Sequence, residues 1–155
     1  MLKSPKKTLN LDEYIIRRTG VPMGASGSLR KMLRRSLGAK SPKLFWQYWN
    51  PIFGYFLGKY IHSPLKKFLP APLAILLTFL FSGLVHDMAT IAVRGTTRFL
   101  FTTWFFFLGM GLILIEMGNI SWADKSRSTR IISNLSYLIL CFLIAYGVVV
   151  LIADL

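Results

Sequence analysis

The chain has 155 residues, of which 54% are hydrophobic and 14% aromatic, and it carries nineteen Lys and Arg against six Asp and Glu. Soluble domains contain about 45–50% apolar residues, so this composition excludes an ordinary soluble domain. Fourteen of the nineteen basic residues lie within residues 1–67, which divides the chain into a basic part and an apolar part. The single Cys141 lies in an apolar run and excludes a disulfide framework or a cysteine-rich metal site.

The basic arm, residues 1–40, is predicted to form two short helices that lie on the membrane surface. The first covers Leu11 to Arg18 and is acidic at its start and basic at its end. The second is predicted to be capped by Ser28 and to end at Gly38. Its polar face carries four cations, which are Arg30, Lys31, Arg34 and Arg35.

These four cations are expected to bind anionic lipid headgroups, each contributing about 1 kcal/mol near the membrane surface. Nucleic acid is the alternative ligand for the same charges. No recognised nucleic-acid-binding motif accompanies them, so membrane lipid is the expected partner and nucleic acid is not.

An aromatic segment, residues 41–67, follows the arm. Ser41 is predicted to cap a helix that has a proline at its first position. Pro51 removes a helical hydrogen bond, so the chain should change direction around Asn50. The density of Trp and Tyr is typical of the bilayer interface. The segment could lie at the interface, re-enter the membrane or form a fourth span, and Lys59 disfavours a full crossing.

Three apolar stretches are long enough to cross the hydrocarbon core as helices, which takes about 20 residues. They are residues 73–93, 99–117 and 131–153. The predicted fold class is therefore an all-α membrane protein, with about three transmembrane helices in a membrane domain, residues 41–155, and amphipathic helices in the arm. Gly109 and Gly111 should permit close approach of neighbouring helices.

The orientation of the chain is predicted from its basic residues. With three spans, seventeen Lys and Arg fall on the side of the arm, and two, Arg94 and Arg98, fall on the other side. Because cytoplasmic flanks retain positive charge, the protein is predicted to be a multi-pass integral membrane protein with its arm in the cytoplasm.

Polar side chains at membrane depth mark the first predicted span. Thr78, Ser82 and His86 recur every four residues and share one helix face, and Asp87 lies beside His86. Ionisable groups at this depth are candidates for function. Alternatively, His86 and Asp87 cap a shorter helix near the outer interface, and the hydroxyl residues serve helix packing. A neutral imidazole could act as a general base toward a hydroxyl group, and the Asn50 amide could hold an acyl carbonyl.

The sequence contains no pattern that predicts a metal site or a catalytic serine or cysteine. Two histidines and a few carboxylates provide no pair of ligands at metal-binding spacing, so no metal is expected. A nucleophile elbow of the G-x-S-x-G type is absent from the sequence, and Cys141 lies in another span without a neighbouring histidine.

Two motifs, taken in order, resemble the signature of the membrane-bound O-acyltransferase superfamily. The first is Phe45-Trp46-x-x-Trp49-Asn50-Pro51, followed by Tyr60 and Pro64, and the second is Ser82-Gly83-x-x-His86-Asp87. Within that superfamily, this form of the two motifs is most similar to the wax synthase branch and to the sterol or diacylglycerol acyltransferase branches.

The resemblance implies transfer of a fatty acyl group from a thioester donor, usually acyl-CoA, to a hydroxyl acceptor inside the membrane, with no other cofactor. It implies that His86 is the catalytic base and that Asn50 is its partner at the acyl centre. The residues expected to line the reaction chamber are Trp46, Trp49, Ser82 and Asp87. The four arm cations could then attract the phosphates of coenzyme A, although lipid headgroups remain the primary expectation.

Members of that superfamily are much longer, and three spans are not expected to enclose a donor, its acyl chain and an acceptor. We therefore expect that copies of the chain assemble, that a partner membrane subunit supplies further walls, or that the chain is catalytically silent. Two functions stay open. One is an acyltransferase working as an oligomer or within a complex, and the other is a non-enzymatic subunit whose motif region binds lipid or a partner protein.

Overall fold

The structure is a computed structural model that describes residues 9–154. These residues form eight α-helices and one π-helical segment, without a β-strand, so the predicted all-α fold class is confirmed. In chain order the elements are α1 Leu11–Thr19, α2 Ser28–Leu37, α3 Pro42–Tyr48, α4 Pro51–Phe56, the π-helical segment Leu57–His62, α5 Ser63–Leu65, α6 Ala71–Arg94, α7 Leu100–Met117 and α8 Arg127–Ala153.

Helices α6, α7 and α8 are the three, among residues 9–154, that are long and apolar enough to cross a membrane. Each contains nearly all of one predicted span, and α8 begins four residues earlier than its span. Helix α7 packs against both α6 and α8. A Cβ atom at Gly109 would lie 3.1 Å from Leu76 Cδ1 on α6, and one at Gly111 would lie 3.0 Å from Tyr137 Cε2 on α8. The two glycines therefore permit close packing on both sides of α7, as predicted.

Helices α6 and α7 cross at Gly83. A Cβ atom there would lie 2.6 Å from the Cα of Thr102 and 2.9 Å from the carbonyl oxygen of Phe101, so the backbones of α6 and α7 are in contact. Only glycine leaves room for this approach. The crossing brings the first turns of α7, including Phe101 and Phe105, against the face of α6 that carries His86.

The basic arm packs against the membrane domain. Asn134 in α8 is fully buried, and its Nδ2 donates hydrogen bonds to the carbonyl oxygens of Leu37 at 2.8 Å and Ala39 at 3.0 Å. In the loop between α7 and α8, Trp122 Nε1 donates to the same Ala39 oxygen at 3.1 Å. The end of α2 and this loop thus lie at one end of the bundle, as the predicted topology requires. That this end is cytoplasmic stays a prediction.

The starts of α1, α2 and α3 follow the local sequence, with one difference. Asn10 and Glu13 form a capping box at the start of α1, and the Ser41 side chain caps α3 as predicted. The prediction that Ser28 caps α2 is wrong. Gly27 occupies the cap position with a φ of 74°, a backbone conformation that favours glycine, and Ser28 is the first helical residue.

Candidate active site

The chain changes direction at Asn50, as predicted from Pro51. Helix α3 ends at Tyr48, and Asn50 adopts left-handed backbone angles, with φ 38° and ψ 69°. Pro51 begins α4, because its fixed φ and missing N–H suit the first position of a helix. The Asn50 Oδ1 atom accepts a hydrogen bond from the backbone N–H of Phe53 at 3.3 Å. Asn50 is therefore the N-cap of α4, and residues 41–67 contain no helix long enough to cross a membrane.

The bend between α3 and α4 borders a cavity of about 300 Å³, whose wall also includes residues of α1, the π-helical segment, α6 and α7. Its wall is mostly apolar and aromatic, as is usual for small-molecule sites. Five of the six residues that the resemblance assigned to the reaction centre line it together, namely Trp46, Trp49, Asn50, Ser82 and His86. The structure thus brings the two motifs to one cavity.

His86 is held by a hydrogen bond within α6 and by three aromatic rings. Its Nδ1 atom lies 2.6 Å from the carbonyl oxygen of Ser82. Because a carbonyl oxygen can only accept, Nδ1 carries a proton, and in the neutral ring Nε2 is then the nitrogen with the free lone pair. The Phe105 ring stacks on the imidazole with a centroid distance of 5.1 Å, Phe101 lies at 5.5 Å, and Phe53 approaches edge-on at 6.0 Å. The ring thus has one fixed tautomer and one orientation.

Trp46 connects the cavity wall to α6, α7 and α8. Its Nε1 donates a hydrogen bond to the Tyr137 hydroxyl at 3.4 Å, and that hydroxyl donates to the backbone carbonyl of Leu108. The Trp46 ring also packs edge-on against Phe79 at 5.1 Å. Trp49, which directly follows α3, stacks on Phe45 with a centroid distance of 5.5 Å. These contacts fix the position of α3 relative to α6, α7 and α8.

Asp87 lies outside the chamber that it was expected to line. Its side chain is 1% exposed, and its carboxylate accepts hydrogen bonds from the backbone N–H groups of Phe101 at 3.3 Å and Thr102 at 2.7 Å. The hydroxyls of Thr97 and Thr102 donate to it at 2.9 and 2.6 Å. These N–H groups belong to the first turn of α7, which a helix leaves without internal partners. Asp87 therefore anchors the start of α7.

Replacing Asp87 by alanine is expected to lower the free energy of unfolding by about 2–4 kcal/mol, because the backbone and hydroxyl donors at the start of α7 lose their charged, buried acceptor. Thermal unfolding of the purified protein in detergent measures the change. Asp124→Ala is the matched control, because Asp124 is exposed in the loop between α7 and α8. An unchanged unfolding midpoint in Asp87→Ala would contradict the anchoring role.

An ion pair lies at one end of the cavity. Lys43 Nζ in α3 is 3.0 Å from both carboxylate oxygens of Glu116 in α7. It is the one ion pair that the structure shows among residues 9–154. The sequence predicted neither residue as part of the site. The only available signal was that both belong to the same membrane end in the three-span topology.

His62 and Tyr14 are further residues of the cavity wall that the sequence did not assign to the site. The Nδ1 atom of His62 lies 3.5 Å from the hydroxyl oxygen of Thr78. Burial lowers the pKa of His62, a hydrogen bond to the backbone of Ala74 raises it, and the Lys66 ammonium lowers it further, with a net pKa below the ordinary value. The neutral imidazole is therefore favoured at this position. Tyr14 comes from α1, so the arm contributes to the cavity.

Three of the four arm cations line one groove in the structure, and the fourth does not. Lys31, Arg34 and Arg35 line a separate groove that shares no lining residue with the His86 cavity. Arg30 lies outside both sets of lining residues.

The fold and the cavity together define a helical membrane protein that holds an oriented histidine in a largely apolar chamber. A family model described as MBOAT, membrane-bound O-acyltransferase family, matches residues 29–153. The chain belongs to this family, and the resemblance drawn from the two motifs is confirmed. The matched region includes α6, α7 and α8. No curated protein and no solved structure matches the chain at a significant level.

Proposed function

We propose that the chain transfers a fatty acyl group from a thioester donor, such as acyl-CoA, to a hydroxyl acceptor, with His86 as the general base. The observation that carries this proposal is the hydrogen bond from His86 Nδ1 to the Ser82 carbonyl. It leaves Nε2 as the nitrogen that can accept a proton, on the wall of a cavity that Asn50 also lines.

In the proposed reaction, Nε2 of His86 accepts the hydroxyl proton while the hydroxyl oxygen attacks the thioester carbonyl carbon. The tetrahedral intermediate then collapses, the carbon–sulfur bond breaks and the ester forms. The departing thiolate takes the proton from the imidazolium, which returns His86 to its neutral form.

The negative charge on the carbonyl oxygen of the intermediate requires a hydrogen-bond donor. Asn50 can supply this donor. Its Oδ1 accepts a hydrogen bond from the Phe53 N–H, while the structure shows no partner for its Nδ2 among residues 9–154. We assign the Nδ2 amide to this oxygen.

The cavity is at the small end of the range for ligand sites, which is roughly 300–1,000 Å³. Its volume suits the reacting groups and the first part of an acyl chain. We propose that the remaining walls come from a second copy of the chain or from a partner membrane subunit.

The test is an acyl-transfer assay on the full chain in phosphatidylcholine vesicles, with labelled acyl-CoA and a panel of long-chain alcohols, a sterol and a diacylglycerol. We expect labelled ester above the level in protein-free vesicles for at least one acceptor. If a second copy completes the site, activity per molecule should rise with the protein-to-lipid ratio. Absence of ester with every acceptor, at every ratio, would contradict an enzyme that the chain completes alone or with a second copy, and would favour the non-enzymatic lipid-binding subunit or a site that needs a partner subunit.

A further inference from the structure

A groove of about 800 Å³, here called the basic groove, lies between the arm and the start of α8. Among residues 9–154, its lining includes seven cationic side chains and no carboxylate. The seven are Arg17, Lys31, Arg34, Arg35, Lys40, Arg127 and Arg130. They come from α1, α2, the connection to α3 and the first turn of α8, so residues far apart in sequence converge on one space.

The charge of the basic groove is not neutralised within the described part of the chain. The ion pair seen among residues 9–154 joins Lys43 to Glu116, and neither residue lines this groove. Seven like charges around one space repel each other, and a bound anion would relieve that repulsion. The arrangement therefore favours a ligand with several negative charges.

Two arginines of the basic groove are held in place by backbone oxygens. Arg35 Nη1 donates to the carbonyl oxygen of Arg18 at 2.8 Å, and Arg127 Nη2 donates to the carbonyl oxygen of Arg34 at 3.3 Å. Each guanidinium has five N–H groups, so both keep donors for a ligand. Arg130 also contributes a buried Nε that has no hydrogen-bond partner within the described part of the chain. Arginine forks match the oxygen geometry of phosphate, which makes phosphate groups the favoured anion.

The position of the basic groove indicates where such phosphates come from. Arg127 and Arg130 lie in the first turn of α8, immediately before its uncharged apolar stretch, which starts at Ile131. The groove therefore lies at the end of a membrane span, at the level of lipid headgroups. On the arm, Ile16 and Leu29 are 45% and 64% exposed, as expected for side chains that enter the same boundary.

We propose that the basic groove binds the multiply phosphorylated headgroup of an anionic membrane lipid and so joins the arm to the start of α8. This site is separate from the proposed acyl-transfer centre, because the two spaces share no lining residue. A binding measurement tests it without reference to transferase activity.

The test uses the full chain in neutral detergent and a short-chain phosphatidylinositol bisphosphate as the probe. Arg34→Gln with Arg130→Gln is expected to weaken binding about 30-fold, because each near-surface cation contributes about 1 kcal/mol. The matched control is Arg94→Gln with Arg98→Gln, which removes the same charge from exposed positions at the end of α6 and in the loop that follows it, and it should bind like the parent. Arg34→Lys with Arg130→Lys keeps the charge and should retain most of the binding.

Further arms of the experiment distinguish the source of the phosphates. Free inositol trisphosphate, coenzyme A and inorganic phosphate should each bind more weakly than the lipid, which also has acyl chains to insert. A soluble compound that binds as tightly as the lipid would overturn the assignment to a membrane lipid. Equal lipid binding by the parent and the doubly substituted Arg34→Gln, Arg130→Gln protein, at equal unfolding midpoints, would overturn the site itself.

Discussion

Replacing His86 by alanine is expected to lower kcat/KM for acyl transfer about 10²–10⁴-fold, the range that a positioned general base contributes. The loss should appear in kcat, because proton transfer belongs to the transition state, while the rest of the cavity wall still contacts the donor. The measurement is the rate of labelled ester formation by the parent and by His86→Ala in the same vesicles, over a range of donor and acceptor concentrations up to saturation, so that kcat and kcat/KM are obtained separately.

Two further variants make the result specific to the imidazole. His86→Gln keeps a polar side chain without a basic nitrogen and should be as slow as His86→Ala. Thr90→Ala is the matched control, because Thr90 lies one turn further along α6, donates only to the carbonyl oxygen of His86 at 3.0 Å and does not line the cavity. Transfer by His86→Ala at the parental rate would rule out the general-base role.

The spans and the polar face of α6 could be predicted because they depend on local rules. A helix in lipid must satisfy its own backbone hydrogen bonds, so the length of an apolar run largely fixes the helix. The spacing of Thr78, Ser82 and His86 likewise fixes a common face, and all three line the cavity. The kink at Pro51 follows from the chemistry of that one residue.

Other features could not be predicted because they depend on contacts between distant segments. Asp87 was expected to share the role of its neighbour, but successive residues on a helix point about 100° apart, and α7 supplies the donors that Asp87 binds. The Lys43–Glu116 pair joins residues 73 positions apart, and no local pattern links them. The Phe105 ring stacks on His86 only because α6 and α7 cross at Gly83.

The second motif therefore combines three functions in six residues. Gly83 permits the helix crossing, Asp87 anchors the start of α7, and the Ser82 carbonyl orients His86. The crossing and the anchor together hold the aromatic residues of α7 against the imidazole. A change at Gly83 or Asp87 should therefore disturb His86 through packing, even though neither side chain touches the proposed reacting groups.

Replacing Asn50 by aspartate is expected to slow acyl transfer about 10²–10³-fold, the effect of losing one donor to a developing oxyanion. Aspartate keeps the oxygen that accepts from the Phe53 N–H, and like asparagine it is a good N-cap that tolerates the left-handed backbone at this position. The variant should therefore fold like the parent. The aspartate variant lacks the Nδ2 amide, and its carboxylate places a negative charge next to the oxygen that becomes negative in the tetrahedral intermediate. The rate of ester formation and the unfolding midpoint are measured together.

Alanine at the same position separates the two roles of Asn50. Asn50→Ala removes both the cap and the amide, so it should lower the free energy of unfolding by about 1 kcal/mol and also slow transfer. If the amide acts on the acyl oxygen, both variants are slow and only the alanine variant is destabilised. If Asn50→Asp transfers at the parental rate while Asn50→Ala is destabilised, Asn50 serves only as the cap of α4. The oxyanion would then need another donor on the cavity wall.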